Sequence, residues 1–566
     1  MGAPAQPFHE GATLRQITLD AHRALNGPYT LAGALVSALV TEAAPELVAA
    51  HDIEIRAAAP ALRHQVPARR TTLADRVPQE ERILVPAPLR TLRLANGLAE
   101  FVRDQLAVTG PLALRALNIG QADPTDLELL AVLDRRVPAL TIVGEQSGPP
   151  HPPPSYSPGA ELDRFRNEGF HHAMAEAGAA LLPTLREDGE PWWTLLHRTT
   201  TALAALERED EARDLLDHAR RVGTDPKHLA TAAYATSMLL VRHHDPGRRD
   251  PEEAGVWIDR AVALTSRLPD RAERAFHLSF DLNGKALVEV RRGRPEEAMR
   301  LVRAAIELAE RDLADGRHPV HKLVLRANRA QLTAMRGDPE GALADLDAVI
   351  AADPGYPDYY LDRGNLLHRL GRPLEAVADY ETAMRVGPPF PEPYYNRSEV
   401  RYAQGDLAGA LADLDYAIEL DPGFADAYVN RAGLLVALDE LDRARADAER
   451  DPGNPFLLTV LGQIETAQGN LVEARKAYDS ALERAPALAV AWAGRGALAF
   501  EEGDVQASVS DLTRAIELAD GAEVRFNRAY ALRALGLTAQ ARTDLLRAAE
   551  LAPDDDEVRQ ALANLP

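Results

Sequence analysis

An Asn-Arg pair recurs along this 566-residue chain, as Asn328-Arg329, Asn396-Arg397, Asn430-Arg431 and Asn527-Arg528, with Asp362-Arg363 in the slot between the first two. A side-chain amide donates and accepts at once, so a row of amides can match the N–H and C=O groups of an extended polypeptide. An arginine fork grips carboxylates. Both are groups for holding a partner, and groups for breaking bonds are missing. There is no cysteine, which excludes disulfides and thiolate chemistry. No G-x-S-x-G elbow and no H-E-x-x-H motif occurs. The one Gly-Lys, Gly284-Lys285, has Ser279 upstream and Ala286 after it, so it lacks the spacing that converges backbone N–H groups on phosphates. His171-His172 and His243-His244 are adjacent, and on a helix adjacent side chains diverge by about 100°. No metal centre and no cofactor is therefore expected. Trp192-Trp193 diverges in the same way, with core packing of both set against one serving as a partner anchor.

The elements that must position these groups have to come from a chain too long for one core, so several domains or a repeat array is expected. Apolar residues make up 46% and charged residues 26%, and no apolar run approaches the roughly 18 residues of a membrane span. With 63 basic and 86 acidic residues the formal charge is -23, which disfavours nucleic acid as a partner. The start, "MGAPAQPFHEGATLRQ", has no basic region followed by an apolar one, so the sequence predicts a cytoplasmic protein with no membrane partner. Lysine is confined to positions 227, 285, 322 and 476, and the arginine and alanine richness points to a GC-rich bacterial genome.

Turn residues fall at Gly337, Gly371, Gly405, Asp439, Gly469, Gly503 and Gly536, at intervals of 34, 34, 34, 30, 34 and 33. Pro354, Pro388 and Pro422 follow the first three, and Pro486, Asp520 and Pro553 later ones, by 17 residues. Glycine permits a tight turn and proline stops the second helix, so each period reads as a helical hairpin. In "YYLDRGNLLHRLGRPLEAVADYETAMRVGP", Gly364, Ala376 and Ala383 sit at close helix approaches, and Tyr360, Leu367 and Tyr380 fill between them. These residues resemble the tetratricopeptide repeat family. The resemblance implies a mostly α fold, a right-handed α-solenoid of helical hairpins, with seven repeats over 322–553 and a capping helix over 554–566. The unit from Ala425 to Pro452 lacks about one turn of its second helix. Residues 161–321 show the same hairpin grammar with looser turns.

The family's geometry places the first helix of each repeat on a concave groove. Resemblance to asparagine-ladder superhelices implies that Asn328, Asp362, Asn396, Asn430 and Asn527, with Arg397 and Arg431, bind a peptide or protein there. The ladder breaks at Val460 and Gly494. On the alternative reading the motif is repeat consensus, and Arg329, Arg363, Arg397 and Arg431 form salt bridges to neighbouring helices.

Residues 1–147 do not follow the period. "LALRALNI" reads as a buried strand, Asp123-Pro124 as the cap and first turn of a helix to about 137, and "LTIVG" as a second strand, the order of a parallel crossover. "PLRTLRLANGLAEFVRDQL" reads as a helix on that sheet. "ADPTDLELL" resembles the region after Walker B in STAND-type ATPases. That family ends the strand in two acids, where this chain has Leu117 and Asn118, and no Walker A loop is present. The resemblance implies a small degenerate α/β domain, and the residues read equally as a plain α/β cap without that ancestry. Residues 148–160 read as a proline-rich linker. The expected function is a non-enzymatic scaffold for a peptide or protein partner. The alternatives are a STAND-like regulator without hydrolysis and an accessory protein of a bacterial biosynthetic enzyme.

Overall fold

Proline opens many of the helices in this chain, at a position whose N–H would be unbonded anyway and where a φ near -65° is already helical. Pro319, Pro339, Pro357, Pro373, Pro391 and Pro455 each stand first in a helix. Asp338 also caps the helix that Pro339 opens, accepting the N–H of Gly341 at 3.0 Å, and Asp406 caps helix Leu407–Leu420 through the N–H of Gly409 at 2.9 Å. The computed structural model describes residues 15–77, 86–157 and 159–564. The stretch read for a leader lies mostly outside them. Among the described residues there are 28 α-helices and three strands, and no helix is long and apolar enough to cross a membrane. The chain divides into two compact units, residues 1–396 and 397–566.

The first unit begins with a parallel sheet of β1 (Arg15–Asp20), β2 (Leu112–Leu117) and β3 (Leu140–Gly144), in that spatial order. Arg15 lies opposite Leu112, and Leu112 opposite Leu140. Helix Pro124–Arg136 makes the predicted crossover, capped by Asp123, whose side chain accepts the N–H of Thr125 at 2.9 Å. Its Leu129 and Leu133 share a core with Leu98 and Phe101 of helix Ala87–Thr109 and with Leu114 of β2. Strand β1 was not expected, because none of "RQITLD" is fully buried, only Ile17 and Leu19 are apolar, and no turn signal sets it off.

A carboxylate ties this layer together. Asp126 is fully buried and accepts the N–H of Leu31 at 3.1 Å and of Ala32 at 2.9 Å, capping helix Thr30–Val40 from another element. Burial nevertheless pushes its pKa up to about 7. The segment after β3 is irregular yet pinned: Asn118 donates to the carbonyl of Pro149 at 3.0 Å and to Asp20 at 2.9 Å, and His151 Nε2 meets Asp20 at 2.8 Å.

From Ala160 onward the chain is a series of helices. The periodic part gives the hairpins Pro319–Met335/Pro339–Ala352, Pro357–Arg369/Pro373–Val386 and Pro391–Ala403/Leu407–Leu420. These are followed by Ala425–Ala437/Leu441–Ala448, Pro455–Ala467/Leu471–Arg484, Ala489–Glu501/Val505–Leu518 and Ala522–Ala534/Thr538–Leu551, then helix Asp556–Ala563. The six turn glycines have φ between +69° and +84°, and Asp439 takes the same left-handed conformation at +59°. The second helix of the short hairpin has 8 residues where its neighbours have 14.

Close approach within a hairpin depends on missing side chains. In Pro357–Arg369/Pro373–Val386, a Cβ on Gly364 would lie 2.6 Å from the ring of Tyr380, which is itself 1% exposed. Ala376 and Ala383 are fully buried beside it. Truncating a filled aromatic of this kind costs about 3–5 kcal/mol, so the small residues and the ring define the hairpin jointly.

Candidate functional site: the polar face of the first helices

Each arginine of the recurrent pair, and Arg495 in the same slot after Gly494, meets an aspartate 16 positions later, on the second helix of its own hairpin. In the first unit Arg329 forks Asp345 at 2.8 and 2.5 Å, and Arg363 forks Asp379 at 2.8 and 2.6 Å. In the second unit the pairs are Arg397–Asp413 at 2.9 and 2.7 Å, Arg431–Asp447 at 2.8 and 2.6 Å, Arg495–Asp511 at 2.7 and 3.0 Å, and Arg528–Asp544 at 2.7 and 2.7 Å. Three of these arginines reach back as well, to an aspartate of the preceding hairpin: Arg363 to Asp347 at 2.6 Å, Arg431 to Asp415 at 2.7 Å and Arg495 to Asp479 at 2.6 Å. Such forks combine charge with fixed geometry. The forks of Arg397 and Arg431 are thus engaged inside the protein, on Asp413 and Asp447, each 95% or more buried.

The asparagines do something else. Asn396 donates its amide to Oδ1 of Asn365 at 2.7 Å, and Asp362 accepts from Gln331 at 3.4 Å, both in the first unit. In the second unit Asn430 donates to Glu399 at 3.5 Å. Each bond runs from one first helix to the previous one, over a separation of 31 residues. Asn328 makes the corresponding contact with Asn283 at 2.9 Å, across 45 residues because helix Pro295–Asp312 and its connection are longer. Asn527 is half-buried on helix Ala522–Ala534.

These bonds use the NH₂ group of each asparagine and leave Oδ1 of Asn328, Asn396 and Asn430 unbonded on half-buried side chains. Asn365 accepts twice, from Asn396 and from the hydroxyl of Tyr380 at 2.9 Å, and keeps its own NH₂ unbonded. The face therefore carries spare acceptors and a spare donor. Sequence reasoning did not find Gln331, Asn365 and Glu399. The signal was present, since each stands three positions after a ladder residue and hence on the same helix face.

The ladder gaps have physical causes. Val460 is buried in a core that its helix shares with the preceding short hairpin, against Ala432, Leu435 and Ala448. At Gly494 any side chain would collide with the ring of Tyr478, 2.6 Å from the Cβ position. The second unit instead exposes apolar groups along its first helices, including Tyr402, Phe456, Val490 and Phe500.

Both Trp192 and Trp193 are buried, and Trp193 donates to Asp188 at 2.9 Å while stacking on His228. His171 and His172 open helix His171–Leu181, one half-buried and one exposed. His243-His244 departs from the geometry assumed above: helix Pro226–Arg242 ends before the pair, and the two rings stack with centroids 4.7 Å apart.

No curated protein sequence matches the chain. Among solved structures, a tetratricopeptide repeat protein from Parabacteroides merdae is 19% identical, with a TM-score of 0.38 over 43% of this chain and 97% of that one. The Cut9–Hcn1 hetero-tetramer of APC/C is 14% identical, with a TM-score of 0.38 over 71% and 89%, and yeast Tom70 is 16% identical, with a TM-score of 0.35 over 71% and 93%. The tetratricopeptide repeat family model matches residues 329–389, 395–457 and 494–556. The helical hairpins of these three segments, with their arginine forks and asparagine contacts, are tetratricopeptide repeats.

Proposed function

We propose that the chain is a non-enzymatic adaptor, and that the first-helix faces of its repeats hold an extended segment of a peptide or protein partner. The repeat is an architecture of protein–protein interaction in general, and the finer reading rests on the unbonded amide groups of the ladder. In the first unit, Oδ1 of Asn328 and Asn396 and the NH₂ of Asn365 offer the acceptor and donor that a peptide backbone needs. The ladder bonds between adjacent first helices hold these groups in place before a ligand arrives, which lowers the ordering cost of binding. Asn430 offers the same acceptor in the second unit, beside exposed apolar side chains suited to a partner's apolar residues. Arg397 and Arg431 contribute by fixing the hairpins that carry the asparagines.

The test is equilibrium binding of a peptide library to the full chain. Hits should lose roughly tenfold in affinity on Asn396→Ala, the equivalent of one net hydrogen bond. Hits unaffected by Asn396→Ala, Asn365→Ala and Asn430→Ala alike would remove the ladder from the binding surface.

A second reading has one observation in its favour. The parallel layer β1-β2-β3 with its crossover helix is an α/β unit of the general kind that ATPase sheets are built from, and the position after β2 is structural: Asn118 spends its amide on Asp20 and on the carbonyl of Pro149. We read this layer as a non-hydrolysing relic of a STAND-like module. Saturable ATP binding by the full chain would argue against the loss of nucleotide contacts.

A further inference from the structure

Helix Glu209–Val222 and helix Pro226–Arg242 are consecutive, and one end of the pair brings three donors together. Glu209 opens the first helix, and His243 and His244 follow the end of the second. His243 leaves the helix with φ -43° and ψ 134°, which turns the two imidazoles face to face instead of 100° apart. One donor atom from each of the three residues lies within 4.8 Å of the other two. His244 Nδ1 stands 2.9 and 3.0 Å from the two carboxylate oxygens of Glu209.

An ion pair between Glu209 and His244 accounts for only part of this. His243 is 6% exposed, and its Nε2 is buried with no hydrogen-bond partner. Leaving a buried polar atom unbonded is unfavourable, and on a ring grouped with an imidazole and a carboxylate it calls for a partner. The surroundings favour a cation: Glu207 and Asp245 act on the pair alongside Glu209, while Asp210 is held by Arg248 at 2.6 Å and Arg249 is turned to the carbonyl of His243.

We propose that Glu209, His243 and His244 form a binding site for one divalent transition-metal ion of the zinc class, closing the end of this helical pair. Two imidazoles and a carboxylate suit zinc, nickel or copper, and three protein ligands leave a fourth position for water. Ligands about 2.0–2.2 Å from a tetrahedral ion lie roughly 3.4 Å from each other, so Glu209 and His244, now 2.9 Å apart, part slightly on binding, and three donors within 4.8 Å of one another need only small shifts to surround the ion. Coordination through Nε2 of His243 moves its ring proton to Nδ1. That gives up the hydrogen bond Nδ1 now accepts from the N–H of Asp245 at 3.1 Å, in exchange for partnering the buried nitrogen.

The experiment titrates Zn²⁺ and Co²⁺ separately into the full chain, followed by calorimetry, by the visible absorption of bound Co²⁺ and by thermal unfolding. The expected result is one equivalent bound, the absorption of a four-coordinate site and a raised Tm. His244→Ala alters an exposed side chain and leaves the fold intact by circular dichroism. It and Glu209→Gln should each weaken binding by at least the roughly 10-fold seen when even an outer partner of a metal ligand is lost. His172→Ala, on an exposed histidine elsewhere, should change nothing. No binding of either ion, or binding that survives both His244→Ala and Glu209→Gln, overturns the proposal.

Discussion

Replacing Arg431 with methionine keeps most of its stem and removes its fork. Asp447, 5% exposed, then loses the donors now 2.8 and 2.6 Å away and is left as a buried charge. Removing one partner of a buried pair costs about 3–5 kcal/mol. The second leg, to a half-exposed Asp415, adds no more than about 1 kcal/mol. A net loss near 4 kcal/mol multiplies the opening constant of the hairpin about a thousandfold. Because repeat arrays open locally, the assay is amide hydrogen exchange across residues 425–448 in native buffer. Protection there should fall by two to three orders of magnitude while Ala522–Ala534 is unchanged. The double variant Arg431→Met/Asp447→Leu should regain most of the loss, since an apolar pair of similar volume replaces the buried charge well. A fall of less than about tenfold would mean that Asp447 is solvated like a surface carboxylate. A double variant as weak as the single one would assign the effect to the arginine stem over Tyr428, whose ring lies 5.4 Å from the guanidinium. Either outcome refutes the fork as the main fastener of the hairpin.

Asn365→Ala and Asn396→Ala should be coupled by about 0.5–1.5 kcal/mol in a double-mutant cycle read by urea unfolding, the worth of one hydrogen bond. Asp439→Gly should stabilise the short hairpin by up to about 1 kcal/mol, because its φ of +59° strains any residue with a Cβ; thermal unfolding checks it. Burial holds the pKa of His321 down to about 4, against an unfolded value near 6.5. Its neutral form is the folded one, so its contribution is intact above pH 6.5 and declines as pH falls toward 4, by roughly 3 kcal/mol in all. Burial raises Asp281 to about 7, which acts in the opposite sense over nearly the same range. The measurement is therefore the difference between the chain and His321→Gln, whose stabilities should converge as pH falls from 6.5 to 4.

The hairpins were legible because turn glycines and stop prolines carry their own conformational demands. Gly371 at φ +69° and Gly405 at +79° sit where the period put them, and Tyr380 faces Gly364 as the small-residue pattern implied. The parallel crossover was legible from Asp123-Pro124 for the same reason. What escaped was whatever depended on partners outside the motif. The alternative reading gave Arg431 a salt bridge to a neighbouring helix but not its partner: Asp447 lies 16 residues on, and neither sequence position alone tells which helix face it occupies. Strand β1 lacked a buried run of its own and exists by pairing with β2. His243 and His244 were misjudged because the helix was assumed to continue through them, although nothing but a neighbouring Asp245-Pro246 marks its end.

The spacing of the arginine forks also bears on how such a chain can change length. Every fork closes within one hairpin, so a duplicated or deleted block of one period brings along or takes away its own clasp and leaves the remaining clasps whole. Of the arginine contacts, only the back-reaching ones, such as Arg363 to Asp347, must find a new neighbour, and they need nothing more than an aspartate at the same place in the preceding unit.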